Sequence, residues 1–225
     1  MTPLYVFDID GTLLRADGAG GRAFDRALGD VFDLAGAGVG IRFGGKTDPI
    51  ILHEIQVQAR QRAATTAERA RFYASYLPAL DDELTRSAGF RVLPGAVTAL
   101  DHLADRGLQV GIGTGNIEAG AQAKLRRAGL HTRFAFGGYA SDAAPRAELI
   151  GIAIARGRAA LGANAAPIIV GDTVHDVAAA HACGGRVVAV TTGADDEATL
   201  RAVMRPGDVL LASLAELPAW HDAHA

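Results

Sequence analysis

Six short runs rich in apolar, β-branched or aromatic residues punctuate the sequence, at residues 4–7, 109–113, 134–136, 168–170, 186–190 and 209–211. Each is short enough for a strand. Between most of them lie Ala- and Leu-rich stretches with helical spacing, such as Ala96-Ala99-Leu100-Leu103 and Ala147-Ile150-Ile154. Strands that alternate with helices predict an α/β chain whose parallel sheet is covered on both faces. The near absence of polar residues within the runs fits strands buried on both sides.

One region breaks the alternation. From residue 16 to residue 90 the pattern is helical throughout, with amphipathic segments expected over 22–32, 49–63 and 67–87. That connection is far longer than one crossover helix requires. The simplest organisation is a core of residues 1–15 and 92–225 carrying an inserted helical cap of residues 16–91. The chain returns through Val92-Leu93-Pro94-Gly95, with Pro94 expected in the first turn of a helix that stops at Gly107. The glycine patches at 18–21 and 36–40 read as hinge and loop, and none makes a dinucleotide fingerprint. The last five residues, with His221 and His224, are expected to be disordered.

The net charge of -3 and the lack of a long basic run argue against a nucleic-acid partner. No apolar stretch reaches the roughly 18 residues of a membrane span, and no signal peptide is apparent. The single cysteine, Cys183, cannot close an internal disulfide and reads as a small buried residue, which fits a reducing cytoplasm.

Ligands of an open parallel sheet bind beyond the carboxyl ends of its strands, so the residues after each run carry the functional signal. The first run leads into Asp8-Ile9-Asp10-Gly11-Thr12, where alternation allows both aspartates to face one cavity. The second leads into Gly113-Thr114-Gly115-Asn116. The third is followed by a loop ending at Arg146, and the fourth by Gly171-Asp172-Thr173-Val174-His175-Asp176. Acidic pairs, a hydroxyl beside glycine and one cation suit a phosphoryl group bound with Mg²⁺. Asp8 is the nucleophile expected to form an aspartyl-phosphate, and Asp10 the acid–base group. Asp8, Asp10, Asp172 and Asp176 form the expected metal set. Thr114, Gly115, Asn116 and Gly11 are expected around the phosphate, with Arg146 supplying fixed positive charge. His175 reads as a surface residue at a helix start.

These motifs, in this order, resemble those of the haloacid dehalogenase superfamily on its phosphatase side. The resemblance implies a Rossmann-like three-layer core with strand order 3-2-1-4-5, Mg²⁺ dependence and an aspartyl-phosphate on Asp8. An insertion directly after the first motif resembles the C1-capped members, which include phosphoglycolate phosphatases, phosphonatases and β-phosphoglucomutases. The stretch Gly44-Gly45-Lys46-Thr47-Asp48-Pro49 is similar to the cap loop that faces the active site in phosphoglycolate-phosphatase-like members, which makes Lys46 a candidate substrate contact. One position departs from the pattern: Arg146 stands where the family's third motif usually has lysine, and arginine is bulkier and binds bidentately.

Dehalogenases of this fold lack a carboxylic acid at the position of Asp10, so its presence favours phosphate esters. The expected function is Mg²⁺-dependent hydrolysis of a small phosphorylated metabolite, with phosphoglycolate the first to try, by a monomer or homodimer. Mutase and phosphonatase chemistry are the alternatives within the family; an idle binding or regulatory protein is the alternative outside it.

Overall fold

Apolar side chains alternate across the central strand, β1 (Pro3–Phe7). Tyr5 and Phe7 enter one buried cluster, Leu4 and Val6 another on the opposite face. The computed structural model, which describes residues 2–224, builds a six-stranded parallel sheet around that strand. In chain order the elements after β1 are β2 (Leu14–Arg15), α1 (Ala19–Phe32), α2 (Asp48–Arg60), α3 (Thr66–Arg86) and β3 (Arg91–Val92). Then follow α4 (Ala96–Asp105), β4 (Val110–Thr114), α5 (Glu118–Arg127), β5 (Phe136–Tyr139), α6 (Arg146–Leu161) and β6 (Ala166–Gly171). The chain closes with α7 (Val174–Ala182), β7 (Arg186–Val190), α8 (Glu197–Arg201), β8 (Val209–Leu211) and α9 (Leu217–His224).

The sheet order is β5-β4-β1-β6-β7-β8. Counted over the core strands alone this is the expected 3-2-1-4-5, extended by β8 as a sixth strand at the edge. β1 pairs in parallel with β4 on one side and β6 on the other, so the loops after these three strands open side by side.

Several local expectations are corrected. The third run is shifted: the strand is Phe136–Tyr139 and includes Gly137 and Gly138. A Cβ at Gly138 would lie 2.0 Å from the Leu149 carbonyl oxygen, so the close approach of α6 requires glycine in a strand whose composition reads as loop. Pro94 lies before α4 rather than in its first turn. Gly95 is the N-cap, with φ 80°, and a Cβ there would stand 1.9 Å from the Ala215 amide nitrogen. β2 and β3 form an antiparallel two-stranded ribbon where the chain leaves and re-enters the core. At two residues each they are too short to show a period.

The glycines of the first patch are helical as well. Gly18 caps α1 with φ 75°, and Gly20 and Gly21 lie in its first turn, so the helix starts three residues before the expected Arg22. α1 and α3 pack through an aromatic cluster in which Phe24 meets Phe72 edge-on at 4.7 Å and Tyr76 stacks on Phe72 at 6.0 Å. Thr65 and Glu68 close a capping box at the start of α3.

The tail is ordered: α9 packs under the sheet, where buried His221 hydrogen-bonds through Nδ1 to Tyr5 Oη at 2.7 Å. Burial of that phenol pushes its pKa up to about 12, partly offset by Arg186. Cys183 is half-buried and free, with its thiol directed at the Ala147 carbonyl. Among the described residues no helix is long and apolar enough to cross a membrane.

Candidate active site

The loops after β1, β4 and β6 meet the start of α6 at one end of the sheet. Asp8, directly after β1, donates its amide N–H to the Val170 carbonyl at 2.8 Å, which fixes the turn that presents its carboxylate. Asp172, directly after β6, accepts from Thr12 Oγ1 at 3.0 Å and from the Ala194 N–H at 2.8 Å. The fit is close. A Cβ at Gly11 would fall 2.4 Å from an Asp172 oxygen and one at Gly193 1.7 Å away, so both positions must lack a side chain. Asp176 occupies the first turn of α7, where it and Thr173 cap each other.

Asp8, Asp172 and Asp176 are buried, and each offers an oxygen within 4.8 Å of those of the other two. Arg146, the first residue of α6, lies against them. Its guanidinium is 2.6 Å from Asp176 Oδ1 and 3.1 Å from Asp8 Oδ1, and its side chain is 8% exposed. Burial pushes the Asp8 carboxyl up to about 6, Arg146 pulling it down and Asp176 and Asp10 adding to the rise. Asp172 is raised well above its ordinary value by burial and by Asp176 and Asp8. For Arg146, burial works against the charge but Asp176 and Asp8 outweigh it and hold its pKa above the ordinary value. Three carboxyl groups share one guanidinium in this buried cluster, and burial and their crowding together raise Asp8 and Asp172. Oxygen donors so crowded and only partly neutralised fit a hard divalent cation.

Asp10 stands apart from that cluster. Its side chain is 41% exposed and pairs with Lys124 of α5, Nζ to Oδ2 at 2.6 Å. Asn116 donates to the same oxygen at 2.8 Å, and its own Oδ1 accepts from Lys124 at 2.7 Å. Thr114 Oγ1, fully buried, accepts from Asn116 Nδ2 at 2.8 Å. The structure thus brings Asp8, Asp172, Asp176 and Arg146 together, and gathers Asp10, Thr114 and Asn116 around Lys124. Gly11 and Gly115 line the same cavity.

That cavity has a volume of about 450 Å³ and lies between the sheet end and the helices of residues 19–86, with Gly20, Phe24, Lys46 and Tyr76 on its far wall. Lys46 lines it, but its ammonium is paired with Glu54. The loop before α2 is fastened to the core: Asp48 N–H donates to the Gly115 carbonyl at 2.7 Å and Thr47 Oγ1 to that of Ala144 at 2.8 Å. Asp48 also accepts from the Ile117 N–H at 2.8 Å. His175 is exposed, as expected.

Two site residues were given no role in the expectations: Lys124, and Asp48, which was named only as part of the 44–49 loop. In α5, Lys124 reads as one of three cations with Arg126 and Arg127 in the last turn, yet it is 5% exposed. A signal was present nonetheless. The chain has only two lysines among its 22 Lys and Arg residues, and both line this cavity.

The comparisons with known proteins agree with this geometry. Residues 2–184 match the haloacid dehalogenase-like hydrolase family. The chain belongs to that family and is a hydrolase of the phosphatase kind. It is 32% identical over 209 residues to a phosphoglycolate phosphatase of Rhodospirillum rubrum, covering 86% of this chain and 81% of that protein. It is 30% identical over 203 residues to a probable phosphatase, IndB, of Dickeya dadantii, covering 86% of this chain and 83% of that protein. A hydrolase structure from Pseudomonas syringae superposes over 100% of both chains with a TM-score of 0.74 at 21% identity, a likeness of fold.

Proposed function

We propose that the chain is a Mg²⁺-dependent phosphomonoesterase of the C1-capped kind, with residues 16–91 as a cap over a core of 1–15 and 92–225. The observation that carries this reading is the separation of two carboxylates on one strand end. Asp8 is buried within the Asp172–Asp176–Arg146 cluster, while Asp10 is turned away from it and faces the cavity. Phosphate-ester hydrolysis needs two such groups. Asp8 attacks phosphorus and carries the phosphoryl group as an aspartyl-phosphate. Asp10 protonates the departing ester oxygen and then takes a proton from the water that releases phosphate. The Arg146 guanidinium holds phosphoryl oxygens beside Asp8, and Thr114, which lines the cavity, offers its hydroxyl. Asp8, Asp172 and Asp176 would hold Mg²⁺, which offsets the repulsion between an anionic nucleophile and an anionic phosphate.

The R. rubrum relative makes phosphoglycolate the first substrate to try. The ion pair between Lys46 and Glu54 counts against phosphonatase chemistry, which needs a free cap amine to form a Schiff base. The test is hydrolysis of p-nitrophenyl phosphate with and without Mg²⁺. Wild type should turn over only with the metal, and Asp8→Asn not at all. Activity equal to that of Asp8→Asn, in folded protein with Mg²⁺ or Mn²⁺, would refute the proposal.

A further inference from the structure

The last helix brings metal-binding side chains together at a place apart from the cavity described above. His102, in the last turn of α4, meets His221 and Asp222 of α9, and each of the three offers a ligand atom within 4.8 Å of those of the other two. None of them lines the active-site cavity. The Nε2 of His102 is buried and has no hydrogen-bond partner among the described residues. Its acceptor in reach, Asp222 Oδ1, lies 3.4 Å away, too far for a good hydrogen bond. A buried polar nitrogen left unpaired is costly, and such atoms call for an explanation. The ring of His221 stands edge-on to that of His102, with centroids 5.4 Å apart. Its Nδ1 is engaged by Tyr5 Oη at 2.7 Å, which leaves Nε2 to meet a ligand. Burial, helped by His102 and Arg106 and opposed by Asp222, lowers the pKa of His221, so the ring is neutral at pH 7 and keeps a lone pair.

We propose that His102, His221 and Asp222 form a site for a divalent transition metal, Zn²⁺ foremost, that fastens α9 to α4. Donor chemistry sets the class of ion. Two imidazole nitrogens with one carboxylate suit Zn²⁺, whereas the all-oxygen cluster at Asp8 suits a hard cation. The metal supplies the partner that His102 Nε2 lacks. Tyr5 then accepts the Nδ1–H of His221, which fixes the tautomer whose Nε2 lone pair is free to coordinate. Arg106, one turn along α4 from His102, pairs with Asp222 Oδ1 at 2.6 Å. It steadies the carboxylate as outer partners of metal ligands do, and Asp222 Oδ2 accepts no hydrogen bond among the described residues. Three protein ligands leave the fourth position of a tetrahedral ion to water, and the Asp222 side chain, 51% exposed, marks the way in. The consequence is structural. α9 ends the described chain, and the metal would tie it to α4 and, through His221 and Tyr5, to the central strand.

The test is Zn²⁺ binding to the full chain, first stripped of metal and then held in millimolar Mg²⁺ to occupy the aspartate cluster. Calorimetry reads the affinity, and thermal unfolding is followed alongside. Wild type should bind Zn²⁺ at a single site with a Kd of about 1 μM or tighter, and the ion should raise its melting temperature. His102→Gln should weaken binding about 100-fold or more, since losing a ligand costs at least as much as losing one of its outer partners. Asp222→Asn should do the same at a half-exposed position where folding is not at stake. In both variants the Zn²⁺-dependent rise in melting temperature should disappear. Asp8→Asn, which alters the other cluster, should bind Zn²⁺ as wild type does. Three results would overturn the site: no Zn²⁺ bound by wild type, wild-type affinity in either folded variant, or binding lost with Asp8→Asn.

Discussion

Replacing Asp48 with asparagine should make the protein more stable, and by an amount that depends on pH. Asp48 opens α2, is 8% exposed, and accepts the Ile117 N–H through Oδ2 at 2.8 Å. Burial raises its pKa from 3.8 to about 6, against the pull of Lys124 and the Ile117 N–H. The folded protein therefore binds this proton more tightly than the unfolded chain does. Below about pH 4 both states are protonated and the residue is neutral in the balance. As pH rises towards 6 the unfolded state ionises first, and the folded state loses stability. Above 6 the full difference applies, about 2 pKa units or roughly 3 kcal/mol. Asparagine keeps an acceptor for Ile117 and carries no charge. Asp48→Asn should thus exceed wild type by up to about 3 kcal/mol at pH 7 to 8, and the advantage should vanish near pH 4. Urea denaturation of both proteins across that range, with m-values compared to verify a common unfolded state, measures it. A difference that stays flat with pH, or an asparagine variant less stable at pH 7, would refute the assignment of Asp48 as a buried charge held at a cost.

Other perturbations test other parts of the framework. Arg146→Met leaves Asp8 and Asp176 without their counter-charge, and should cost about 3–5 kcal/mol in urea denaturation along with all turnover. Asp10→Asn should slow hydrolysis of alkyl phosphates far more than of p-nitrophenyl phosphate, whose leaving group needs little protonation; equal losses on the two would remove Asp10 from the acid role. Gly95→Ala must combine a φ of 80° with a Cβ 1.9 Å from the Ala215 nitrogen, and in urea denaturation should cost more than the roughly 1 kcal/mol of a strained left-handed residue. Leu217→Ala, at a fully buried position of α9, should cost about 2–5 kcal/mol if that helix is part of the core.

The strands legible in the sequence are those whose neighbours are apolar on both sides. β1, β4, β6 and β7 are buried runs, and their composition reports that burial directly; β8, at the edge and only partly buried, is legible from its apolar residues alone. β5 was misplaced because its glycines answer to α6 and not to strand propensity. Gly20 and Gly21 were read as hinge because glycine disfavours helices, and nothing local announces that a side chain at Gly20 would reach the Lys124 ammonium. The acidic motifs were readable because their chemistry and spacing are local: each follows its strand within a few residues. Lys124 and Asp48 were not, since each takes its meaning from a partner far along the chain, Asp10 in one case and Ile117 in the other. The last turn of α9 was read as disordered for the same reason, its buried His221 being matched to Tyr5 at the opposite end of the sequence.

The arginine at position 146 fits this site in a way that lysine would not. Its planar fork meets Asp176 through two nitrogens, Nε at 3.0 Å and Nη2 at 2.6 Å, and the latter also faces Asp8. The remaining arm, Nη1, donates to the Gly45 carbonyl at 3.3 Å. Gly45 belongs to the loop that Thr47 and Asp48 fasten to the core, so one side chain joins the carboxylate cluster to that loop. An ammonium carries its charge at a single atom and cannot span those separations. The other cation, Lys124, is a compact charge on a flexible stem, and it meets the single carboxylate of Asp10. The chain therefore divides its two buried cations by geometry, a fixed fork beside Asp8 and a point charge beside Asp10. It follows that exchanging the two types, Arg146→Lys or Lys124→Arg, would conserve net charge and still disturb both halves of the site.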